Sequence, residues 1–520
     1  MLTMNSCSEE FLDVNKNVNE AYTNQVTPKD RLNAAQTVIF RTQAITMNRF
    51  GNLMMNAWAG NIYYYASPFG DEFKMRADSQ FYSNIWDNLY LGIANYQAII
   101  DSPLAKNYPH HVAVAKIMKA YYMQMIVDLY NDAPYSEAFK GQAGKHPKYD
   151  KGQDIYKALL AELDDAKVLL QGTPSNSSLN LTSTEDAIFG GDTAKWTKMA
   201  NTVKLKLVVR LSKSTDPAVI AFRDAALQQL APLTSDLNNF ITEDVRINPG
   251  YTTSASDTRN PYYQNYGRIN LDTSDINDNF RLIFASDHII KTLRGQIPLT
   301  QGVTDSRLGR LFIANGLEAP NLSAGNYVGQ PQGGTKIDGE TEGDFATLGL
   351  FQSFPNGAST SSVLATQGGY LLTLAEVRFL QAEAAVSYPA TMAFNGQTAF
   401  NAGITESFVT FGSTAAAAST YIGAINSKPG VGWNGTTDKI QAIQYQKWIA
   451  LTNINPTETF ISYNKTGYPQ LPMPQGSYYN NRPNRLMYPQ SEYISNTANV
   501  PNPSIDDMYS VNSYTPFWKK

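Results

Sequence analysis

HVAVAKIMKAYYMQMIVDLYNDAP (111–134) places Val114, Ile117, Met118, Tyr121, Met125 and Leu129 at steps of three and four residues. That spacing draws one apolar face of a helix, and Asn131-Asp132-Ala133-Pro134 ends it. The same period recurs in GQDIYKALLAELDDAKVLL (152–170), TAKWTKMANTVKLKLVVRLS (193–212), PAVIAFRDAALQQLA (217–231), LTLAEVRFLQAEAAV (372–386) and TDKIQAIQYQKWIALT (437–452). An earlier pair is expected over 28–47 and 78–102. Between about 232 and 368 the period gives way to short segments rich in Asn, Asp, Gly, Thr and Tyr, and from about 454 onward Pro, Asn and Tyr dominate. These patterns predict an all-α dominated fold in one domain, 28–520, after an N-terminal linker, 1–27. Helix pairs over about 28–231 and 369–453 form the scaffold, a long irregular insertion spans about 232–368, and an irregular tail covers 454–520.

Hydrophobic residues make up 42% of the 520, enough for a sizeable core. Forty-one basic residues face forty-five acidic ones, and no run of Lys or Arg builds a footprint for phosphates, so nucleic acid is not an expected partner. The longest apolar runs, LIFA (282–285) and LLTLA (371–375), are far shorter than the roughly 20 residues that cross a bilayer as a helix.

Catalytic and metal motifs find little support. His110, His111, His146 and His288 show no HExxH spacing, and Cys7 is the only cysteine, so no metal and no cofactor are expected. Asp272, Asp275 and Asp278 step by three rather than by the two of a calcium loop, which suits loop capping. Gly430, Gly432 and Gly435 fit GxGxxG but follow no hydrophobic strand, so they read as a turn. Glu376 and Glu383 share a helix face at roughly 10.5 Å, near the wide end of the carboxylate separation of inverting glycosidases, about 6.5–9.5 Å. Their apolar neighbours favour a structural role beside Lys or Arg partners.

Aromatic residues in loops carry the positive signal. NAWAGNIYYYASPFGDEF (56–73) holds Trp58, Tyr63, Tyr64, Tyr65 and Phe69, and DTRNPYYQNYGRIN (257–270) holds Asn260, Tyr262, Tyr263 and Tyr266. Flat rings stack on the C–H faces of sugars while neighbouring amides and carboxylates bond hydroxyls, and the same chemistry suits peptides. These nine residues are the expected ligand-binding set. In the Tyr63-Tyr64-Tyr65 triple, at least one ring must face away from the other two.

SCSEEFLDVN (6–15), KAYYMQMIVDLYNDAPYSEA (119–138), WTKMANTVKLKLVVRLS (196–212), LTLAEVRFLQAEAA (372–385), IQYQKWIALTNINPTETFISYNKTGYP (443–469) and NRLMYPQSEYISNTANV (484–500) together resemble the SusD/RagB family of outer-membrane nutrient-binding lipoproteins. The closing RLMYPQSEY is the most specific piece. Asn464-Lys465-Thr466-Gly467-Tyr468-Pro469 departs from the Arg-Arg-Thr-Gly-Tyr-Pro run usual in the family, and Thr459-Phe460 stands where an acidic residue and Trp are common. The resemblance implies a scaffold of tetratricopeptide-like helix pairs, lipidation at Cys7, and attachment to the outer membrane at the cell surface through that lipid anchor. Met4-Asn5-Ser6 is an atypical lead-in to such a cysteine, and the six residues ahead of Cys7 are fewer than a signal peptide's apolar core needs. The resemblance further implies capture of an oligosaccharide, with no bond made or broken, and its delivery to a SusC-like TonB-dependent transporter. Capture of oligopeptides by the same architecture and a surface glycosidase stand as alternatives.

Overall fold

Caps and prolines set where the helices begin. In the computed structural model, which describes residues 26–314, 327–355 and 360–519, Thr27 and Asp30 form a reciprocal capping box, with Pro28 at the first helical position of α1 (Pro28–Thr42). A π-helical stretch, Gln43–Met47, runs directly into α2 (Asn48–Met54). Then follow α3 (Ser83–Ile100), α4 (Pro109–Tyr130), α5 (Gly152–Gln171), α6 (Thr193–Arg210, capped by Asp192) and α7 (Pro217–Leu230, capped by Asp216). The second half supplies α8 (Leu374–Ser387), α9 (Gly396–Thr410), α10 (Ala415–Ile425), α11 (Lys439–Leu451) and α12 (Pro456–Thr466). Cys7 lies outside the described residues, within which no helix is long and apolar enough to cross a membrane.

Sequential helices pack as neighbours: α1 on α3, α3 on α4, α4 on α5 and α5 on α6. The halves interlock because α8 packs on α6 and α12 returns to α2. Helix α4 is buried from His111 to Tyr130 at every position except Lys116, with Lys119, Gln124 and Asp128 among the buried ones, so its expected single apolar face is one part of a helix buried nearly all round.

Charges buried between the helices are matched. Lys206 meets Glu376 at 2.7 Å and Glu458 at 2.9 Å; Arg210 meets Glu458 at 2.8 Å and Asp128 at 3.1 Å. Lys447 adds a bond to Glu458 at 2.9 Å, and Lys465 meets Glu383 at 2.5 Å. Burial alone would raise the Glu458 and Glu383 carboxyls, but the surrounding cations outweigh it and hold both below the ordinary range. Four anions thus face four cations across α4, α6, α8, α11 and α12, and removing one member would strand its partner in a low-dielectric interior. Glu376 and Glu383 are therefore ties between helices, with Lys partners as the sequence suggested.

Helices α9, α10 and α12 were not marked by the apolar period. In α9, Gly, Thr, Asn and Ser break up the apolar positions, while Asn395 supplies its cap. Helix α12 lies in the stretch expected to be irregular tail: Pro456 reads as a breaker but occupies the first helical position, and buried Glu458 and Lys465 hide the apolar face. The irregular tail therefore starts after Gly467, whose φ of 80° closes α12.

Short elements tie the insertion to the scaffold. Among the described residues of 232–368 the longest helix is Asp287–Leu293. Trp58–Gly60 pairs antiparallel with Ile283–Ala285, and Val245–Ile247 with Gly369–Leu372. Phe312–Ile313 pairs with Thr347–Leu348, and the Ala285 amide donates to the Ala346 carbonyl at 2.8 Å. The Trp58–Gly60 strand thus delivers the chain from the scaffold onto the insertion, where the Tyr63–Tyr65 turn begins.

Candidate functional site

Five of the nine expected ligand residues are interior. Trp58 is fully buried; its indole donates to Asn453 Oδ1 at 2.7 Å, and its ring meets Tyr266 edge to face at 5.1 Å. Tyr266 in turn meets Tyr262 at 5.3 Å and donates its hydroxyl to the Ile45 carbonyl, in the π-helical stretch, at 2.9 Å. Asn260 caps the short helix Pro261–Tyr266 by accepting from the Tyr262 and Tyr263 amides, and its Nδ2 donates to the Gln367 carbonyl. Tyr263 is packed with Leu364 and Ala365. Burial takes Trp58, Asn260, Tyr262, Tyr263 and Tyr266 away from any surface ligand, a correction to the sequence expectation. The physical reason is that strand pairing and the short helix turn these rings inward, where they join insertion to scaffold.

Of the other four, Tyr63 and Phe69 are half-buried and Tyr64 and Tyr65 are exposed. Asn61, buried and overlooked in the sequence reading, organises their turn. Its Oδ1 accepts from the Tyr63 and Tyr64 amides at 3.1 and 3.0 Å, its carbonyl accepts from the Tyr65 amide, and its Nδ2 donates to the Arg281 carbonyl at 2.8 Å. An Asn two residues before a turn is the available sequence signal. Tyr63 turns inward onto Phe345 at 5.3 Å and donates to Glu340 at 3.1 Å. Tyr64 and Tyr65 point out, 40% and 62% exposed. Phe69, half-buried with a φ of 59°, packs edge to face on Phe73.

Charged side chains from the insertion hold the outward rings. The Arg281 guanidinium lies 4.1 Å from the Tyr64 ring centroid, and its Nε donates to Glu342 at 3.1 Å. Tyr64 donates its hydroxyl to Asp278 at 2.9 Å, a bond that pushes the phenol above its ordinary range and keeps it a donor. Burial would raise the Glu342 carboxyl, but hydrogen bonds from Arg281 and Asn61 pull it below the ordinary range. Asp278, Arg281, Glu340 and Glu342 are thus site residues that sequence reasoning did not select, because their place depends on folding the insertion against the Tyr turn. Asp272 instead pairs with Arg259 at 2.6 Å.

Behind the turn lies a cleft of about 250 Å³, between the 60–74 loop and the 331–334 and 475–476 loops. Ile62, Pro68, Phe73 and Lys74 form one wall, and the glycine-rich 333–334 and 475–476 stretches the other; no Asp or Glu lines it. The arrangement offers exposed rings, fixed hydrogen-bonding groups and open backbone, which is equipment for holding a polar ligand with flat apolar faces.

None of the curated proteins matches the chain in sequence. Solved structures do match in fold: a SusD homolog from Bacteroides uniformis at 21% identity, covering 96% of this chain and 100% of that one with a TM-score of 0.66. A chitin-binding SusD homolog from Flavobacterium johnsoniae matches at 20% identity over 94% and 97% of the two chains, TM-score 0.65. A further chitin-binding protein matches at 22% identity over 91% and 95%, TM-score 0.64. Residues 19–489 match the family SusD-like_2, described as starch-binding and associating with the outer membrane. With most of its length matched, the chain belongs to the SusD-like family.

Proposed function

We propose that the protein is a cell-surface glycan-binding lipoprotein that captures oligosaccharides at the Tyr63–Tyr65 turn and hands them to a SusC-like TonB-dependent transporter. The observation that carries the reading is the outward display of Tyr64 and Tyr65 on a turn locked by Asn61, with Arg281 and Asp278 fixing Tyr64. Solvent-exposed rings on rigid loops lose little entropy when a sugar face covers them. The family's description as starch-binding and the chitin-binding structural relatives support a carbohydrate over a peptide. Lipidation at Cys7 tethers the protein to the outer membrane, and hinge motion over the transporter passes the cargo inward. The role in this reading is binding without bond cleavage, supported by the burial of Glu376 and Glu383 in ion pairs between helices.

Calorimetry of the soluble chain against neutral polysaccharides and against protein digests tests this. Retention by a polysaccharide, with no release of reducing ends, is the expected result. Binding to peptides alone would replace the glycan reading, and turnover of any substrate would overturn the binding-only role. Co-purification of a TonB-dependent transporter from solubilised outer membranes tests the handover.

A further inference from the structure

A second pocket, of about 450 Å³, opens between α3, the 134–147 loop and the short helix Gln490–Ser495. It shares no residue with the cleft behind the tyrosine turn. Its body is apolar: the Tyr90 ring lies 4.7 Å from that of Trp86 and 5.8 Å from that of Phe139, and Leu91, 65% exposed, forms a lip. Among the described residues that line it, the charged ones are Asp87, Glu492 and Lys145. From this arrangement we infer that the pocket binds a small zwitterion with an apolar body, either an apolar amino acid or a dipeptide of such residues. Asp87 and Glu492 take its ammonium, and Lys145 and the Trp86 indole N–H take its carboxylate.

Contacts within the chain bring the two acids to one wall. Asp87 Oδ1 accepts from the Ser491 hydroxyl at 3.0 Å, and Glu492, the next residue along, accepts at Oε2 from the Tyr149 hydroxyl at 2.6 Å. Each keeps its second oxygen unbonded and meets no Lys or Arg in an ion pair among the described residues. Anions so placed favour an ammonium that can bond both. Lys145 stands on a segment pinned to the same helix, because His146 Nδ1 donates to the Ser495 carbonyl at 2.7 Å and Asn496 Nδ2 donates to the Pro147 carbonyl at 2.9 Å. Its own ammonium is exposed and has no acid partner among the described residues. Trp86 is only 3% exposed, yet its indole N–H makes no hydrogen bond among the described residues. Buried indoles ordinarily find an acceptor, and a carboxylate oxygen is one. A neutral ligand would strip water from these groups without replacing its bonds. An ammonium and a carboxylate on one apolar frame answer them together.

Calorimetry of the soluble chain tests this with phenylalanine and leucyl-leucine as ligands and with phenethylamine, 3-phenylpropionate and glycine as controls. The controls lack the carboxylate, the ammonium and the apolar body in turn. At least one of the two zwitterions should bind one per chain and roughly tenfold tighter than any control, and the tighter of the two tells a free amino acid from a dipeptide. Lys145→Gln should erase most of the advantage over phenethylamine, and Asp87→Asn most of the advantage over 3-phenylpropionate. Ala94→Phe fills the pocket without touching a polar group, so it should weaken zwitterion binding more than roughly tenfold. Absence of binding by both zwitterions, equal affinity for phenylalanine and its two phenyl controls, or binding unchanged in both Asp87→Asn and Lys145→Gln overturns the site. Retention of the three variants by a polysaccharide reports separately on the glycan reading, which this inference does not need.

Discussion

Trp58, Tyr262 and Tyr266 make one aromatic cluster, and Tyr63, Tyr64 and Tyr65 make another only five residues along from Trp58, yet the two do opposite work. The first is buried and closes its hydrogen bonds internally, with Trp58 donating to Asn453 and Tyr266 to the Ile45 carbonyl. The second places two of three rings in solvent and borrows its polar partners from the insertion. Both are built of aromatic rings that carry a hydrogen-bonding group. What separates them is the backbone: Trp58 lies in a strand paired with Ala285, whereas Tyr63 to Tyr65 follow a turn built on the Asn61 side chain. Paired backbone next to a helical core turns a ring inward, and a turn projecting from it turns rings outward.

The sharpest way to break the comparison is Trp58→Ala. Deleting a fully buried indole that also holds Asn453 should cost about 3–5 kcal/mol and lower the melting temperature by many degrees, with ligand binding lost only as the fold is lost. Thermal unfolding followed by circular dichroism checks it. A variant with wild-type stability and lost glycan binding would restore Trp58 to the ligand surface.

Asn61→Ala attacks the device that separates the clusters. The Tyr63 and Tyr64 amides lose their acceptor and the Arg281 carbonyl its donor, so stability should fall by about 1–3 kcal/mol. Binding to an immobilised polysaccharide should fall further than the stability loss explains, because Tyr64 and Tyr65 are no longer aimed. Unchanged affinity in a folded Asn61→Ala protein would show that the turn does not orient the ligand.

The sequence showed the scaffold more clearly than the site, for a physical reason. Helices α4, α5, α6, α8 and α11 bury apolar residues at regular steps, so periodicity betrays them. Helix α12 escapes because its buried face is built from Glu458, Ser462 and Lys465, whose burial is made tolerable by partners on α6, α8 and α11. The candidate site has no period at all. That Tyr65 is exposed and Tyr266 is not follows from long-range pairing of the 58–60 strand, the π-helical stretch and the insertion, none of which is written in the local sequence. Which way each loop ring faces is set by these long-range pairings and not by spacing.

Tyr65→Ala sharpens the comparison from the other side. Its ring is mostly solvated, so stability should stay within about 0.5 kcal/mol of wild type. Affinity for the polysaccharide should drop roughly tenfold, the contribution of one stacked ring. A melting temperature lowered as far as that of Trp58→Ala would mean that the two clusters are one core after all.

The smallest effect concerns acid. Glu342 has a carboxyl held below its ordinary value of 4.5 in the folded protein, so its pairing with Arg281 is fully formed above that value. The support fades as the pH drops through the folded-state pKa, because the protonated carboxyl no longer draws the guanidinium. Arg281 also lies over the Tyr64 ring, so loosening it should loosen the ring. Affinity should therefore be flat between about pH 5 and 8 and decline shallowly below, while the buried cluster of Trp58 and Tyr266, which holds no carboxylate, is untouched over the same window. Glu342→Gln removes the titrating group, so it should abolish the acid decline and start from the weaker plateau. A decline that persists unchanged in Glu342→Gln would show that Glu342 does not carry the acid response.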